Sequence, residues 1–479
     1  MNSTMALRKI ARGALYYSAL MVLAIGFSFF GRAQGSICWG ATINVATTAN
    51  LQTLVTENPT NTTFSLAPGI HRLQSVVPKT GDVFVGQTGA ILSGAALLTS
   101  FSQSGSYWTA QVSVTEASSY PGQCNSSSPA CIYPEDLFFD NVVKTRVTSL
   151  SSVGPGKWYL NYSTGTAYMG DDPAGYTVEM SELRQAFSGS ASTVQINNLT
   201  IEKYASLAQM GAVDGSGGGS GWAVEYSEIR FNHGRGITTG NGMWVYENLI
   251  HNNGQLGIGG GGTSFTVQSN KIYTNDYAGY SYYWEAGGAK FASATTALIE
   301  YNYSFANMGP GLWNDINSNG VTYSENETYG NIEAGILSEI STNITVKGNY
   351  IYDDGFNPSG TGIWWGAGIL IADSTNVSVY SNTVVNCMNG IVGLVSSRGD
   401  APDGQPYVLE NLSVEGNTIT QATGTAAGIA IDGSGISNAV YTSMNNVFLD
   451  NTYNLSVAGG DYLYWMGGPT TLASFLAYF

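Results

Sequence analysis

The 479-residue chain is short of charge. Asp, Glu, Lys and Arg together make up 10% of it, against about 25% in an average domain. Basic residues are the scarcer: 17 Lys and Arg face 33 Asp and Glu, for a formal charge of −16. That excludes the basic footprint of a nucleic-acid binder. There are 3 His and 4 Cys, with no CxxC pair and no His cluster of the kind zinc requires. Past the N-terminus no apolar run is long enough for a transmembrane helix. Helix-forming residues are also few, which disfavours a helical fold.

What is abundant is Gly (61) and Tyr (30), with Asn, Ser and Thr throughout. Hydrophobic residues reach 43%, enough for a continuous core. This composition suits an all-β chain with many turns.

The N-terminus reads as an export signal. Arg8, Lys9 and Arg12 precede a mostly apolar stretch over 14–30, and Gly31-Arg32-Ala33 follows, with small residues where cleavage would occur. The apolar run lies at the lower limit of a membrane span, so a cleaved signal over 1–33 is favoured above an anchor. The expected location is secreted, extracellular or periplasmic, with no membrane attachment after cleavage. Cys124 and Cys131 bracket a short Ser-rich loop that an exported protein could close as a disulfide. Nothing in the sequence fixes an oligomeric state.

From Val224 one motif recurs: apolar-x-x-Asn-x-apolar-x-x-Asn, then Gly-apolar four residues later. One copy is Val245, Asn248, Ile250, Asn253, Gly257, Ile258. Others begin at Ile299 and Tyr323, with partial copies at Val224, Val267, Val346, Val379 and Val414. The undisturbed period is 21–24 residues. Within each copy apolar residues alternate at period two in runs of three to five, which is strand periodicity. Short strands at near-constant period predict a single-stranded right-handed parallel β-helix, each coil burying its inner face only by stacking on the next. The Asn positions fit turns, tolerating the left-handed region and hydrogen-bonding to the next coil. Asn302 and Asn326 also match N-x-S/T, yet in this rhythm they read as ladder residues.

The expected organisation is a cap and first coils over 34–100, with Leu51–Glu57 as a capping helix. A small inserted β subdomain follows over 101–190, including a hairpin in KWYLNYSTGTAYM. The β-helix proper spans 191–458 and an aromatic C-terminal cap 459–479.

Candidate chemistry lies in Gly309–Ser341. Asp315 and Glu339 each stand four residues after a repeat glycine, Gly311 and Gly335. Leu312 and Ile336 should point inward. Alternation then sends Trp313 and Leu337 outward, and Asp315 and Glu339 with them. The two carboxylates should be neighbours on one solvent-facing sheet, about 4.8 Å apart by coil spacing. Like charges so stacked raise one pKa and titrate as a unit. A retaining glycosidase needs its two carboxyls about 5–5.5 Å apart; a Ca²⁺ site could use both instead. Hydrolysis of this kind needs no cofactor.

Trp313-x-Asp315 on one coil with Glu339 on the next resembles the parallel β-helix β-xylosidases of glycoside hydrolase family 120. There an Asp nucleophile and a Glu acid/base sit on consecutive coils at similar spacing. The resemblance implies Asp315 as nucleophile and Glu339 as acid/base. It covers mainly Gly309–Ser341. The wider chain resembles secreted right-handed β-helix repeat proteins.

One coil earlier, Gly288 as strand glycine would put Ala289 inward and Lys290 outward, beside Trp313 and diagonal to Asp315. Lys290 could hold Asp315 anionic. Alternatively it could abstract a proton in a polysaccharide lyase acting on a uronate polymer with bound Ca²⁺. Glu285, on an inserted loop, is a further candidate. His233 and Arg235 in NHGRGI, with His251 one coil later, read first as turn residues and second as substrate contacts. Asp353-Asp354 read as a turn before a cation site. Trp364 and Trp365 suit stacking on sugar faces or packing of their loop. Asp373 falls one place past the dyad register and is left out. The expected partner is a polysaccharide or oligosaccharide, with no nucleic acid. A non-catalytic glycan-binding β-helix is the third reading.

Overall fold

The structure is a computed structural model, described here over residues 41–356, 364–433 and 437–479. The expected export signal, Cys38, and part of the loop before Trp364 lie outside the described residues. Among these residues three long sheets run side by side, of thirteen, twelve and twelve strands. Apart from a final antiparallel pair at Leu463–Trp465 and Gly468–Thr470, their strands pair in parallel, each with the equivalent strand of the next coil. From Gln195 onward the chain passes from the first sheet to the second to the third in each turn. The fold is a single-stranded right-handed parallel β-helix with a small β subdomain inserted near its N-terminus.

The alternation seen in the sequence explains the core. Ile237, Ile258, Ala289, Leu312, Ile336, Ile369 and Ile391 fill one inner column of the third sheet. Val224, Val245, Val267, Ile299, Tyr323 and Val346 fill one of the first. A helix at Leu51–Glu57 lays Leu51 and Val55 into the same core. Asn50 caps it, accepting from the Thr53 amide at 2.8 Å. At the other end Phe475 and Trp465 belong to that core too.

The insertion is visible in the pairing. Val83–Val85 and Gln195–Asn197 are neighbouring strands of the first sheet, as are Ile91–Ser93 and Thr200–Glu202 of the second. The chain therefore leaves the helix and returns to stack on the coil it left. The excursion holds a four-stranded and a five-stranded sheet around Leu137, Phe139, Trp158, Leu160 and Met180. Lys157–Asn161 and Thr166–Met169 form the expected hairpin. Glu179 ties the subdomain to Lys203 and Arg72 of the helix, and Cys124 is bonded to Cys131.

Between the first and second sheets runs an asparagine ladder: Asn248, Asn270, Asn302, Asn326, Asn349, Asn382, Asn417 and Asn451. Each side-chain amide donates to the carboxamide oxygen of the next at 2.9–3.0 Å. A second ladder, from Asn232 through Asn253, Asn275, Asn307 and Asn331, separates the second and third sheets. It ends at Asp354, which accepts from the Asn331 amide at 2.9 Å and the Thr328 hydroxyl at 2.7 Å. Asn302 and Asn326 are buried in the first ladder and present no glycosylation acceptor. The left-handed residue in these turns is not the ladder Asn but the one before it: Glu247, Ser269, Tyr301 and Glu325 have φ of 50–58°. The Asn itself points inward, where its amide is needed.

Candidate functional site on the third sheet

Three consecutive strands carry the candidate site: β1 (Gly287–Thr295), β2 (Leu312–Asp315) and β3 (Ile336–Glu339). Lys290 pairs with Trp313 and Trp313 with Leu337 in register, Ala292 with Asp315, and Asn314 with Ser338. Asp315 and Glu339, one residue further on, are therefore coil-to-coil neighbours. Leu312 and Ile336 join the inner core, whereas Trp313 and Leu337 belong to a separate apolar cluster on the outer face. Inward and outward faces are as the alternation predicts. Asn314 and Ser338 point inward, where the amide donates to the hydroxyl at 3.1 Å.

The outer face is not open to solvent, contrary to the expectation. Asp315 and Glu339 are each 3% exposed and Trp313 likewise. The covering comes from later loops. Trp364 and Trp365 pack on this face with Trp313, Leu337, Leu370 and Tyr464, and the Trp364 and Tyr464 rings meet edge-on at 4.5 Å. Both indoles are half-buried and packed on this face.

Burial makes the electrostatics decisive. The Lys290 ammonium lies 2.8 Å from Asp315 Oδ2, 3.6 Å from the centre of the Trp313 ring, and donates to the Trp284 carbonyl at 3.1 Å. The other Asp315 oxygen accepts from the Ile316 amide at 2.7 Å. Glu339 is pushed up to about 7, first by burial and next by the charge of Asp315, against the pull of Arg398 and Lys290. One carboxyl is thus paired with a neighbouring ammonium, and its neighbour is easily protonated. Directly after each stands an isoleucine in the left-handed region, Ile316 at φ 48° and Ile340 at φ 38°. This conformation is costly for a β-branched residue.

Glu285 joins the cluster from its loop. Arg235 Nε donates to it at 3.1 Å, Gln209 at 2.9 Å, and Lys290 stands 4.0 Å away. Arg235 reaches it by lying across Gly259, where a Cβ would fall 2.4 Å from the guanidinium Nε. Arg235 is thereby committed to an ion pair. His233 is elsewhere: it is buried, its Nδ1 faces Asp136 at 2.9 Å and its Nε2 the Cys131 carbonyl at 2.7 Å. Both of its ring nitrogens are occupied joining the helix to the inserted subdomain. It lines a different cleft of about 620 Å³ with Tyr277, Lys144 and Lys157. His251 stacks at 4.6 Å on Tyr273, the start of a ring column that continues through Phe305, Tyr329 and Tyr352.

Two residues were missed and a third, Asp373, was considered but left out. Arg398 donates to Glu339 at 2.6 Å. Glu333, before β3, is pushed up to about 8 by burial and then by Glu339. Asp373, held by the Ser396 hydroxyl at 2.6 Å and amide at 2.9 Å, is raised to about 6 by burial. One residue past the Glu339 column, which continues at Ala372, it still adds negative charge against Glu339. The rarity of arginine in this chain was the one signal that could have flagged Arg398. Among the described residues no group of three or more His, Cys, Asp or Glu is arranged to hold a metal ion, and no helix is long and apolar enough to cross a membrane.

Two family models match parts of the chain, each under half of it: a right-handed β-helix region over 211–364 and a periplasmic copper-binding protein family (NosD) over 288–475. No curated protein matches. Among solved structures, the chain is similar to XylC in complex with xylose, at 14% identity over 86% of this chain and 82% of that one, with a TM-score of 0.56. It is also similar to a glycoside hydrolase (10%, 86% and 96%, 0.48) and to the A-module of the Azotobacter vinelandii mannuronan C-5 epimerase AlgE4 (14%, 85% and 91%, 0.47). At these identities the likeness speaks to the fold alone.

Proposed function

We propose that the chain is a carbohydrate-active enzyme exported from the cytoplasm, a retaining glycoside hydrolase working through Asp315 and Glu339. The observation that carries this reading is the asymmetry of the pair. The two carboxyls are stacked on consecutive coils, one beside an ammonium and the other pushed up to about 7. A double displacement needs that division. Asp315 attacks the anomeric carbon while Glu339 protonates the departing oxygen. Glu339 then takes a proton from water as the water releases the sugar from Asp315. Lys290 pairs with Asp315 at 2.8 Å. It suits the lyase reading poorly, because a base needs a free lone pair and this amine donates to Asp315 and to the Trp284 carbonyl. The Cys124–Cys131 disulfide supports an oxidising compartment.

The likeness to a protein solved with xylose makes xylosides the first substrates to try. The test is mass spectrometry of products from xylan, other neutral glycans, pectin and alginate. Fragments carrying added water with retained anomeric configuration are expected, and kcat/KM should fall above about pH 7 as Glu339 loses its proton. Unsaturated fragments lighter by one water would overturn the hydrolase reading.

A further inference from the structure

Glu339 is covered, and the group covering it is itself exposed. The Arg398 side chain is 36% accessible while that of Glu339 is 4%. Arg398 stands just past β4 (Ile391–Ser396), at the start of an exposed segment over 397–406. That segment folds back on itself: the Ala401 amide donates to the Gln405 carbonyl at 2.7 Å, and Asp400 bridges Pro406. Its far end is pinned beside the dyad, where the Tyr407 hydroxyl donates to Asn317 at 2.8 Å, two residues past Asp315. Its near end is pinned by the Arg398 amide on the Ser396 carbonyl at 3.1 Å. The backbone is thus fixed on both sides, and what can move is a long side chain.

We propose that Arg398 is a positioning residue that switches Glu339. Its guanidinium draws Glu339 toward the anion in the resting chain and gives it up when a sugar takes its place, so that Glu339 binds its proton more tightly and serves as the acid. This rests on the reading of Asp315 and Glu339 as nucleophile and acid/base. The charges facing Glu339 make the switch work. Asp315 on β2, Asp373 beyond the third-sheet strand Ile369–Ala372, and Glu333 before β3 are acidic. Lys290 on β1 is committed to Asp315. Among the described residues Arg398 is the other cation acting on Glu339, and once it leaves, the balance around Glu339 favours protonation. The proton taken up forms the O–H bond of Glu339. It passes to the glycosidic oxygen as the C–O bond breaks, the carboxylate left behind takes a proton from the attacking water in the second step, and that proton returns to solvent as the product departs and Arg398 pairs with Glu339 again.

The test is direct titration. Glu339 is followed by ¹³C NMR of the chain labelled at glutamate Cδ, its signal identified by its loss in Glu339→Gln. In Arg398→Gln its midpoint should rise by about one pH unit or more, and Arg398→Lys should restore most of the shift. An unchanged midpoint overturns the proposal. This measurement needs no substrate, so it stands apart from the hydrolase reading: if the midpoint moves and no glycan is cleaved, that reading fails and the hold of Arg398 on Glu339 remains. With a substrate whose first step limits the rate, the alkaline limb of kcat/KM reports the free enzyme and that of kcat the complex. In the wild type the kcat limb should lie higher. Arg398→Gln should raise the kcat/KM limb to meet it and leave the kcat limb in place. Both limbs moving together, or neither moving, would show that sugar does not displace the guanidinium.

Discussion

Two columns of buried polar side chains climb the same coils. The asparagine ladder between the first and second sheets repeats one residue, and each amide finds a partner on both sides. The cluster on the outer face of the third sheet mixes Lys290, Asp315, Glu339, Glu285 and Glu333, with like charges stacked and two carboxyls pushed far upward. Both are equally hidden from water. The difference teaches where stability and reactivity are separated in this fold. A neutral group that donates and accepts can be stacked without limit, whereas stacked carboxylates resist each other and persist only because the surrounding coils fix their backbone.

The sharpest way to break the comparison is to remove one member of each column. Glu339→Ala should lower kcat by about 10²–10⁴-fold while the thermal unfolding midpoint stays or rises, as a repulsive pair is relieved. Asn302→Ala should do the reverse. It strands the Asn270 amide and backbone N–H that donate to it at 3.0 Å, so stability should fall by on the order of 3 kcal/mol with activity unchanged at low temperature. Denaturant unfolding beside a glycan assay reads both.

A smaller effect is expected at Asp354, where an acid stands in the second ladder. Burial raises it to about 7 from 3.8. A carboxyl that binds its proton more tightly when folded stabilises the fold fully below about pH 4, and that contribution is lost as pH rises through about 7. Glu333 and Asp373 act in the same sense. Unfolding midpoints should therefore decline across this window, and Asp354→Asn should make the decline shallower, the Thr328 hydroxyl turning to accept from the new amide. The smallest effect belongs to Ile316→Asn, which places a residue tolerant of φ 48° after Asp315 and should stabilise by about 1 kcal/mol.

The helix, its core faces and the relative placement of Lys290, Asp315 and Glu339 were legible because each follows from period-two alternation within a repeat. Counting from Gly288, Gly311 and Gly335 was sufficient. What lay outside the repeat was not legible. Arg398 meets Glu339 from a loop two coils further on, and His233 meets Asp136 from an insertion about a hundred residues upstream. Loops without a period have no register to count, so neither the covering of the dyad nor the packing of Trp364 and Trp365 could be read in advance. Asp354 was taken for a turn because in sequence an acid gives no sign of standing where the ladder needs an acceptor.

The first ladder also acts as a ruler. Asn248 and Asn270 are interchangeable rungs, each receiving the amide below and passing its own to the rung above. A whole coil excised between two such rungs, or duplicated there, leaves every splice chemically identical to the one it replaces. The molecule can therefore lengthen or shorten in units of one repeat without consulting its active face, which occupies only a few coils. Insertions of other sizes are taken up in loops between the strands, as where Asn270 and Asn302 stand 32 residues apart and still pair at 3.0 Å.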